Sequence, residues 1–343
     1  MKKKVAIGMS GGVDSSVAAA LLIEKGFEVI GVTMLLWGDD DKDAKDAKMV
    51  CDALGIKHYT VDFKAQFKSM VMDYFAKEYS RGRTPNPCIV CNRHLKFDHL
   101  LRRGMELGCD YVVTGHYAQI RQDKDTGRYI LYKAADLSKD QSYVLYTLTQ
   151  EQLSHTLFPL GGLSKAEARE IAQKEDFVNA RKHDSQDICF VPDHDYASFI
   201  KNETGKTYAP GNFVDEQGNI LGQHKGLIHY TIGQRKGLGI TAATPLFVKE
   251  LRPETNEVVI CKNEELFTDT CILSNVNYMA EVQIPEGTRA IGKVRYSHAG
   301  APCTLYPMEN GMLRCVFDEP QRAMTPGQAG VFYQEDHVLC GGT

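Results

Sequence analysis

Residues 4–25 read KVAIGMSGGVDSSVAAALLIEK. Lys4–Met9 is a short apolar run and predicts a first strand. Val13–Lys25 sets Val17, Leu21 and Leu22 at helical spacing and stops at Gly26, which predicts a helix. Between them lies the loop Gly8, Met9, Ser10, Gly11, Gly12, Val13, Asp14, Ser15. A loop that leaves a strand and enters a helix turns backbone N–H groups toward the end of a sheet, where the helix N-terminus favours negative charge. Gly11 and Gly12 let the backbone approach a phosphate closely, and Ser10, Ser15 and Ser16 add hydroxyl donors. The stretch lacks the lysine of G-x-x-x-x-G-K-[ST] and the spacing of G-x-G-x-x-G, so it is neither a Walker loop nor a Rossmann fingerprint. A plain glycine-rich turn is the competing reading, and the strand–loop–helix context argues against it.

Outward from this unit, strand and helix alternate. Glu28–Leu36 predicts a strand, Asp43–Leu54 a helix, 58–63 (HYTVDF) a strand and Gln66–Tyr79 a helix. TPNPCIVCN (84–92) reads as a Pro/Asn-rich loop, His94–Leu107 as a helix and Tyr111–Thr114 as a strand followed by Gly115 and His116. Such alternation predicts an α/β fold with a parallel sheet covered on both faces. The pattern changes after about residue 145. Ser164-Lys-Ala-Glu167 is a capping box opening a helix to Lys174, and Asp193–Lys201 predicts another. NFVDEQGNILG and LFVKELRPETNEVVIC read as hairpins, and from about Asn275 short strands alternate with Gly and Pro turns. The expected division is an α/β domain over 1–202, a small β-rich linking domain over 203–266 and a C-terminal antiparallel β-barrel over 267–343.

The chain of 343 residues carries a formal net charge of −4, so any nucleic-acid binding requires a local basic patch. No run of about 18 apolar residues spans a membrane. The basic start MKKK leads into an apolar run too short for a signal peptide, so a cytoplasmic location, with reduced thiols and no membrane partner, is expected. Ten cysteines there point to core packing, metal binding or catalysis.

SGGVDSS after an apolar strand resembles the pyrophosphate loop of the ATP-pyrophosphatase superfamily, whose members adenylate a substrate oxygen. Asp14 suits either a helix N-cap or a Mg²⁺ ligand on the bound pyrophosphate. GMSGGVDSS, TPNPCIVCN, TGHYA (Thr114–Ala118), KDQSYVLY (Lys139–Tyr146), DSQDICFV (Asp184–Val191) and PGQ (Pro326–Gln328) occur in this order. Together they make the chain similar to the bacterial tRNA-uridine 2-sulfurtransferase (2-thiouridylase) family. The resemblance implies an ATP-pyrophosphatase (adenine nucleotide α-hydrolase-like) catalytic domain that adenylates O2 of the wobble uridine in the tRNAs for Lys, Glu and Gln. Sulfur then arrives at C2 from a cysteine persulfide fed by a sulfur-donor relay protein. By motif, Cys91 takes the nucleophile position and Cys189 the persulfide-carrying one. ATP contacts fall on Gly8–Ser15, Met34 and Gly115. Contacts to the tRNA anticodon stem-loop fall on Asn86, Pro87, His116, Lys139, Asp140, Gln141, Arg295, Tyr296 and Gln328. One departure stands out: many relatives carry Asp where this chain has Cys88. A Cys88 thiol of lowered pKa would serve as the acid/base there.

The pair Cys88–Cys91 alone fits several chemistries. Structural zinc wants four ligands in close pairs, and only one CxxC is present. A [4Fe–4S] cluster on Cys88, Cys91 and Cys189 with one open iron is chemically feasible. A persulfide/disulfide pair of Cys91 and Cys189, with Cys91 activated by a following helix N-terminus, is preferred. Cys51, Cys109, Cys261, Cys271, Cys303, Cys315 and Cys340 read as core. Arg81, Arg83, Arg93, Lys96, Arg102 and Arg103 form a candidate phosphate grip, with a solvated helix face as the alternative for Arg102 and Arg103. The stretch 224–240 is either a tRNA-stem contact through Lys225, Arg235 and Lys236 or a turn-rich connector. His116 reads as a site residue or a packed histidine. Trp37 beside Asp39–Asp41 is best read as a surface aromatic. Two other functions remain: an amide-forming adenylating ligase, disfavoured by Lys2 in place of a glutaminase nucleophile, and a non-catalytic RNA- or metal-binding module.

Overall fold

Five parallel strands form the central sheet of the computed structural model, which describes residues 2–38, 42–182 and 187–343. Their order is Lys57–Asp62, Glu28–Leu35, Lys4–Gly8, Tyr111–Val113 and Thr156–Leu157. Parallel strands covered on both faces need continuous apolar runs. The first strand supplies one, and its side chains divide by the two-residue period. Val5 and Ile7 pack with Val17, Ala18 and Ala172 on one side, while Ala6 packs with Phe97, Leu100 and Val112 on the other. The chain runs outward from the first strand in one direction, then returns to its other side. The reversal leaves a crevice past the C-terminal ends of Lys4–Gly8 and Tyr111–Val113, where ligands of such sheets bind.

The sequence-predicted helix at His94 begins earlier. Residues 87–106 form one helical run, α-helical over Pro87–Cys91, π-wound over Asn92–His99 and α-helical again over Leu100–Glu106. NPCIVC is therefore the first turn of a helix and not a loop. Asn86 is its N-cap, with Oδ1 accepting from the Cys88 N–H at 3.1 Å, and Pro87 fills the position whose N–H would be unpaired anyway. Asn-Pro was a legible start signal; the loop reading gave too much weight to turn propensity. The helix expected over Gln66–Tyr79 likewise spans 64–80, with a π-wound stretch at Lys68–Met72.

The Ser164 capping box closes as expected, and Lys165–Lys174 packs against the first helix, Val13–Glu24. The helix expected from Asp193 runs over Tyr196–Thr204 with Asp195 as its cap. Both expected hairpins join in a four-stranded sheet ordered Phe247–Arg252, Glu257–Cys261, Gly211–Val214, Ile220–His224. Within 224–240, Tyr230 and Leu238 fold into its core with His224 edge-on to Phe213 and Tyr230, Ile228 packs instead with Phe67, Phe75 and Phe190 of the first domain, and Lys225, Arg235 and Lys236 stay exposed.

Antiparallel strands build the C-terminal barrel, and it recruits a piece of the first domain. The hairpin Gln119–Gln122 with Tyr129–Tyr132 pairs with the last strand, His337–Gly342, through Tyr132 and His337. Tyr333, Val331 and Val338 share a core with Ala6, Phe97 and Leu145, so barrel and parallel sheet pack as one body. The sequence reading had no strand at 119–132.

Candidate active site

The chain leaves the first strand through Met9, whose side chain is buried, and Gly11, which has φ +69°. A Cβ at Gly11 would lie 2.5 Å from the Asp43 carbonyl oxygen, so only glycine fits. The Gly11 carbonyl accepts from Asn179 Nδ2 at 3.1 Å and from Lys182 Nζ at 3.2 Å, which pins that peptide plane. Gly12 is the N-cap of Val13–Glu24 and supplies no side-chain cap. The first-turn N–H groups are thus left for an anion. Ser15 Oγ turns back to the Gly12 carbonyl at 3.0 Å and approaches Ser10 Oγ at 3.3 Å. Met9 and Val13 offer this loop only their backbones, because both side chains lie in the core.

Asp14 is not the N-cap. It sits inside the first turn, where Lys165 Nζ meets Oδ1 and Oδ2 at 2.7 and 2.9 Å and the Tyr117 hydroxyl donates to Oδ1 at 2.9 Å. Lys165 and Tyr117 were missed by sequence reasoning. Lys165 follows the Ser164 cap directly, and nothing in the local pattern reports that this cap lies against the phosphate loop. Gly115 is pressed onto the same turn: a Cβ there would lie 2.8 Å from the Ser15 nitrogen. Met34 lies one residue before the end of the neighbouring strand, half-buried between two cores.

The thiols assemble on a second wall. Cys91 is buried with Phe67, Phe75, Leu95 and Phe190. Phe190 stands edge-on to Phe67 and Phe75, with ring centroids 5.6 and 5.5 Å apart. This aromatic anchor sets its neighbour Cys189 beside Cys91. Asp187 braces the same segment by accepting from the Ile188 N–H and from the Tyr196 hydroxyl. Asp184–Gln186 of the DSQDIC stretch lie outside the described residues, as do Asp39–Asp41. Cys88 and Cys189 are reachable by solvent, yet enough protein surrounds both to strip hydration from a thiolate. Burial pushes the Cys91 thiol up to about 12 and Cys189 up to about 11, and it raises Cys88. Lys96 pulls all three down, and Cys189 and Cys88 push Cys91 up further. The expected thiolate at Cys91 and the lowered Cys88 pKa are therefore reversed: desolvation outweighs the helix terminus. Burial thus favours the neutral thiol at Cys88.

Lys96 links the two walls. It also acts on His116, which follows Gly115 at the end of the strand. His116 itself is buried between Phe97 and Phe158, bonds Thr114 Oγ1 at 2.6 Å and is held neutral by burial. It is a packed histidine and presents no surface to an RNA. Asp140 and Gln141 are likewise spent on their own turn: Asp140 accepts from Ala134, Ser142 N–H and Ser142 Oγ, and Gln141 Oε1 accepts from the Tyr117 N–H. Lys139 is half-buried beside them. From the barrel, Arg295 donates to the Arg322 carbonyl. Gln328 Nε2 donates to the Thr84 carbonyl at 2.8 Å while Thr84 N–H bonds Pro326, so the PGQ turn braces the approach to Asn86. Tyr296 is half exposed and lies near Cys88. Of the basic cluster, Arg81 and Arg83 pair with Glu78, Arg102 with Asp98 and Arg103 with Glu106. Arg93 and Lys96 have no ion pair among the described residues. Trp37 is a surface aromatic, and the remaining cysteines are buried except Cys271, which is half-buried.

Among the described residues, no group of His, Cys, Asp or Glu side chains is arranged to hold a metal ion. Cys88, Cys91 and Cys189 are not drawn together as such a group. A triphosphate fits the uncapped helix start.

Residues 3–193 match a family model described as a tRNA methyl transferase HUP domain, 197–262 a PRC-barrel domain and 268–343 an aminomethyltransferase beta-barrel domain. The tRNA-specific 2-thiouridylase MnmA of Lachnoclostridium phytofermentans is 54% identical over 99% of this chain and 99% of its own. The chain belongs to the tRNA-specific 2-thiouridylase family. Two further 2-thiouridylases, from Carboxydothermus hydrogenoformans and Clostridioides difficile, are each 49% identical over 100% of this chain and cover 97% and 98% of their own. The 2-thiouridylase architecture is thus the one described above: an N-terminal parallel sheet, a β-rich middle and a C-terminal barrel.

Proposed function

We propose that this chain is an ATP-dependent tRNA-uridine 2-sulfurtransferase acting on the wobble uridine of the tRNAs for Lys, Glu and Gln. The observation that carries the reading is the pairing of an uncapped glycine-rich helix start with a helix-borne thiol, Cys91, packed against Phe190 next to Cys189. Activation and sulfur delivery share one crevice.

ATP binds with its phosphates on the N–H groups of Gly11–Ser15, the end of the helix that favours anions. Mg²⁺ brought with ATP would neutralise part of the phosphate charge, and Asp14 is the carboxylate at this end of the loop that would hold it. Lys165 and Tyr117 hold the Asp14 carboxylate at the same end. O2 of the uridine attacks the α-phosphorus and pyrophosphate leaves, which turns O2 into part of a good leaving group. The terminal sulfur of a persulfide on Cys189 then attacks C2 and expels AMP. Cys91 attacks the Cys189 sulfur, the S–S bond to the nucleoside breaks, and 2-thiouridine departs as the Cys91–Cys189 disulfide forms. Cys88, protonated, supplies the proton the departing group needs. A relay protein delivers the persulfide sulfur, and the exposed Cys189 is the thiol it reaches. Methyl transfer, the word in the domain descriptions, calls for neither a pyrophosphate loop nor clustered thiols.

The test is reaction of the full chain with ATP, unmodified tRNA and a persulfide donor. Pyrophosphate release and 2-thiouridine in the digested tRNA are expected together. Pyrophosphate release that depends on ammonia, with no sulfur entering the tRNA, would instead establish the amide-forming ligase.

A further inference from the structure

The barrel core gathers thiols that sulfur delivery to RNA does not use: Cys271, Cys303, Cys315 and Cys340. The first three lie on adjacent strands, Phe267–Leu273, Ala301–Pro307 and Leu313–Arg322, with the last of these in the middle. Register brings two of them face to face. Thr270 pairs with Val316, Cys271 with Cys315, Ile272 with Arg314 and Leu273 with Leu313. Residues directly opposite in an antiparallel ladder project to the same face, here the core that Cys315 shares with Leu273, Leu305 and Phe317. Their Cα atoms stand about 4.5 or about 5.5 Å apart, according to whether the pair exchanges backbone hydrogen bonds. A disulfide takes about 4.4 to 6.8 Å, so either kind of pair admits one without moving the backbone. Cys303 is placed less well. It lies opposite Phe317, one diagonal step from Cys315. Diagonal neighbours are about 7–8 Å apart, at or beyond the reach of a disulfide. The Cys303 thiol also donates to the Ala290 carbonyl at 3.5 Å.

The two facing thiols are unequal. Phe267–Leu273 is the edge strand of its sheet, and Cys271 on it is half-buried, whereas Cys315 is sealed in the core. A small oxidant therefore reaches Cys271 first. The Cys315 thiol donates to the Cys271 sulfur, which lowers the Cys271 pKa and raises that of Cys315. A reachable thiol with a favoured thiolate, set against a second thiol that can resolve it, is the arrangement of thiols that cycle through a disulfide. We propose that Cys271 and Cys315 form a reversible oxidation site for hydroperoxides, separate from Cys91 and Cys189, whose disulfide fastens the edge strand of the barrel to its neighbour. The Cys271 thiolate attacks one peroxide oxygen and the O–O bond breaks. Hydroxide leaves and takes up the proton that Cys271 gave, and Cys271 becomes a sulfenic acid. The Cys315 sulfur then attacks the Cys271 sulfur, the S–O bond breaks, and the departing hydroxide takes the Cys315 proton as water. Two thiols give up two electrons, and hydrogen peroxide becomes two waters.

The test treats the reduced full chain with a small excess of hydrogen peroxide, blocks the remaining thiols with N-ethylmaleimide and maps non-reduced peptides by mass spectrometry. Wild type, Cys189→Ser and Cys271→Ser are compared. Serine at half-buried Cys271 disturbs little packing, and a melting curve checks its fold. A peptide pair joined through Cys271 and Cys315, lighter by two hydrogen atoms and separated by dithiothreitol, is expected in wild type and equally in Cys189→Ser. It should be absent from Cys271→Ser. Amide exchange across 267–273 should slow at least about tenfold on oxidation of wild type, and not in Cys271→Ser. Cys271 left unoxidised, or carried to sulfinic acid with no link, would overturn the proposal. So would a Cys303–Cys315 link in its place, a link formed only in guanidinium-unfolded chain, or one lost in Cys189→Ser, which would make it a product of exchange with the catalytic pair.

Discussion

Cys91 begins the second turn of its helix and is packed among aromatic rings. A helix terminus stabilises charge only within about one turn, whereas burial costs the thiolate everywhere. The sulfur therefore waits as a thiol. With Cys189 raised to about 11, its thiolate is scarce at neutral pH and grows tenfold per pH unit until that pKa. Alkylation of Cys189 by iodoacetamide should be slow at pH 7 and rise accordingly, while Cys91 is spared; peptide mass spectrometry reads both. Serine at Cys91 or at Cys189 should abolish 2-thiouridine formation, and the double variant should be no worse than either, because the two sulfurs act as one unit. Normal thiolation by Cys189→Ser would remove the persulfide assignment. Cys88→Asp should keep substantial activity, since the role asked of Cys88 is proton transfer. Asp14→Asn deprives Lys165 of its anionic partner inside the anion loop. It should cut pyrophosphate release at least tenfold and also lower the melting temperature, because the buried Lys165 ammonium loses its carboxylate. Unchanged activity would place the ATP site elsewhere.

At the scale of elements, two short devices position the chemistry. Asn86 caps the thiol-bearing helix and Pro87 starts it. Asn86→Ala should cost about 1 kcal/mol locally. Faster hydrogen exchange at the Cys88 and Ile89 amides, with the distant Lys165–Lys174 helix unchanged, is the expected readout. The second device is the Phe190 anchor, which fixes Cys189 by packing and not by chain proximity. Much of the element pattern was legible because it is local: the apolar period of the first strand, the Ser164 capping box and both hairpins of the middle sheet. The missed hairpin at 119–132 has strands of four residues each, too short for a clear alternation, and its partner strand lies some two hundred residues away.

The molecule as a whole is slightly acidic, so the tRNA binding proposed for it rests on local basic groups. Most arginines of the expected grip are committed to Glu78, Asp98 and Glu106, leaving Arg93 and Lys96 beside the thiol helix. The pairs of Arg102 with Asp98 and of Arg103 with Glu106 are largely exposed, weak and readily exchanged for phosphate, whereas Glu78 is buried and keeps Arg81 and Arg83. tRNA binding should therefore weaken steeply with salt, the logarithm of the binding constant falling by about 0.7 per phosphate contact per decade of salt on a single strand. A flat response between low and moderate ionic strength would contradict this.

By itself the sequence determined the strand–loop–helix unit, its anion-binding character, the thiol motifs and the class of each domain, because glycine placement, capping and apolar period act over a few residues. Tertiary structure decided the rest. It turned Asp14 from a cap into the partner of Lys165, drew His116 and Asp140 inward, raised the thiols that a helix terminus was expected to lower, and joined a hairpin of the first domain to the barrel. Each depends on burial or on a partner distant in the chain, and neither desolvation nor long-range pairing is written into a local run of residues.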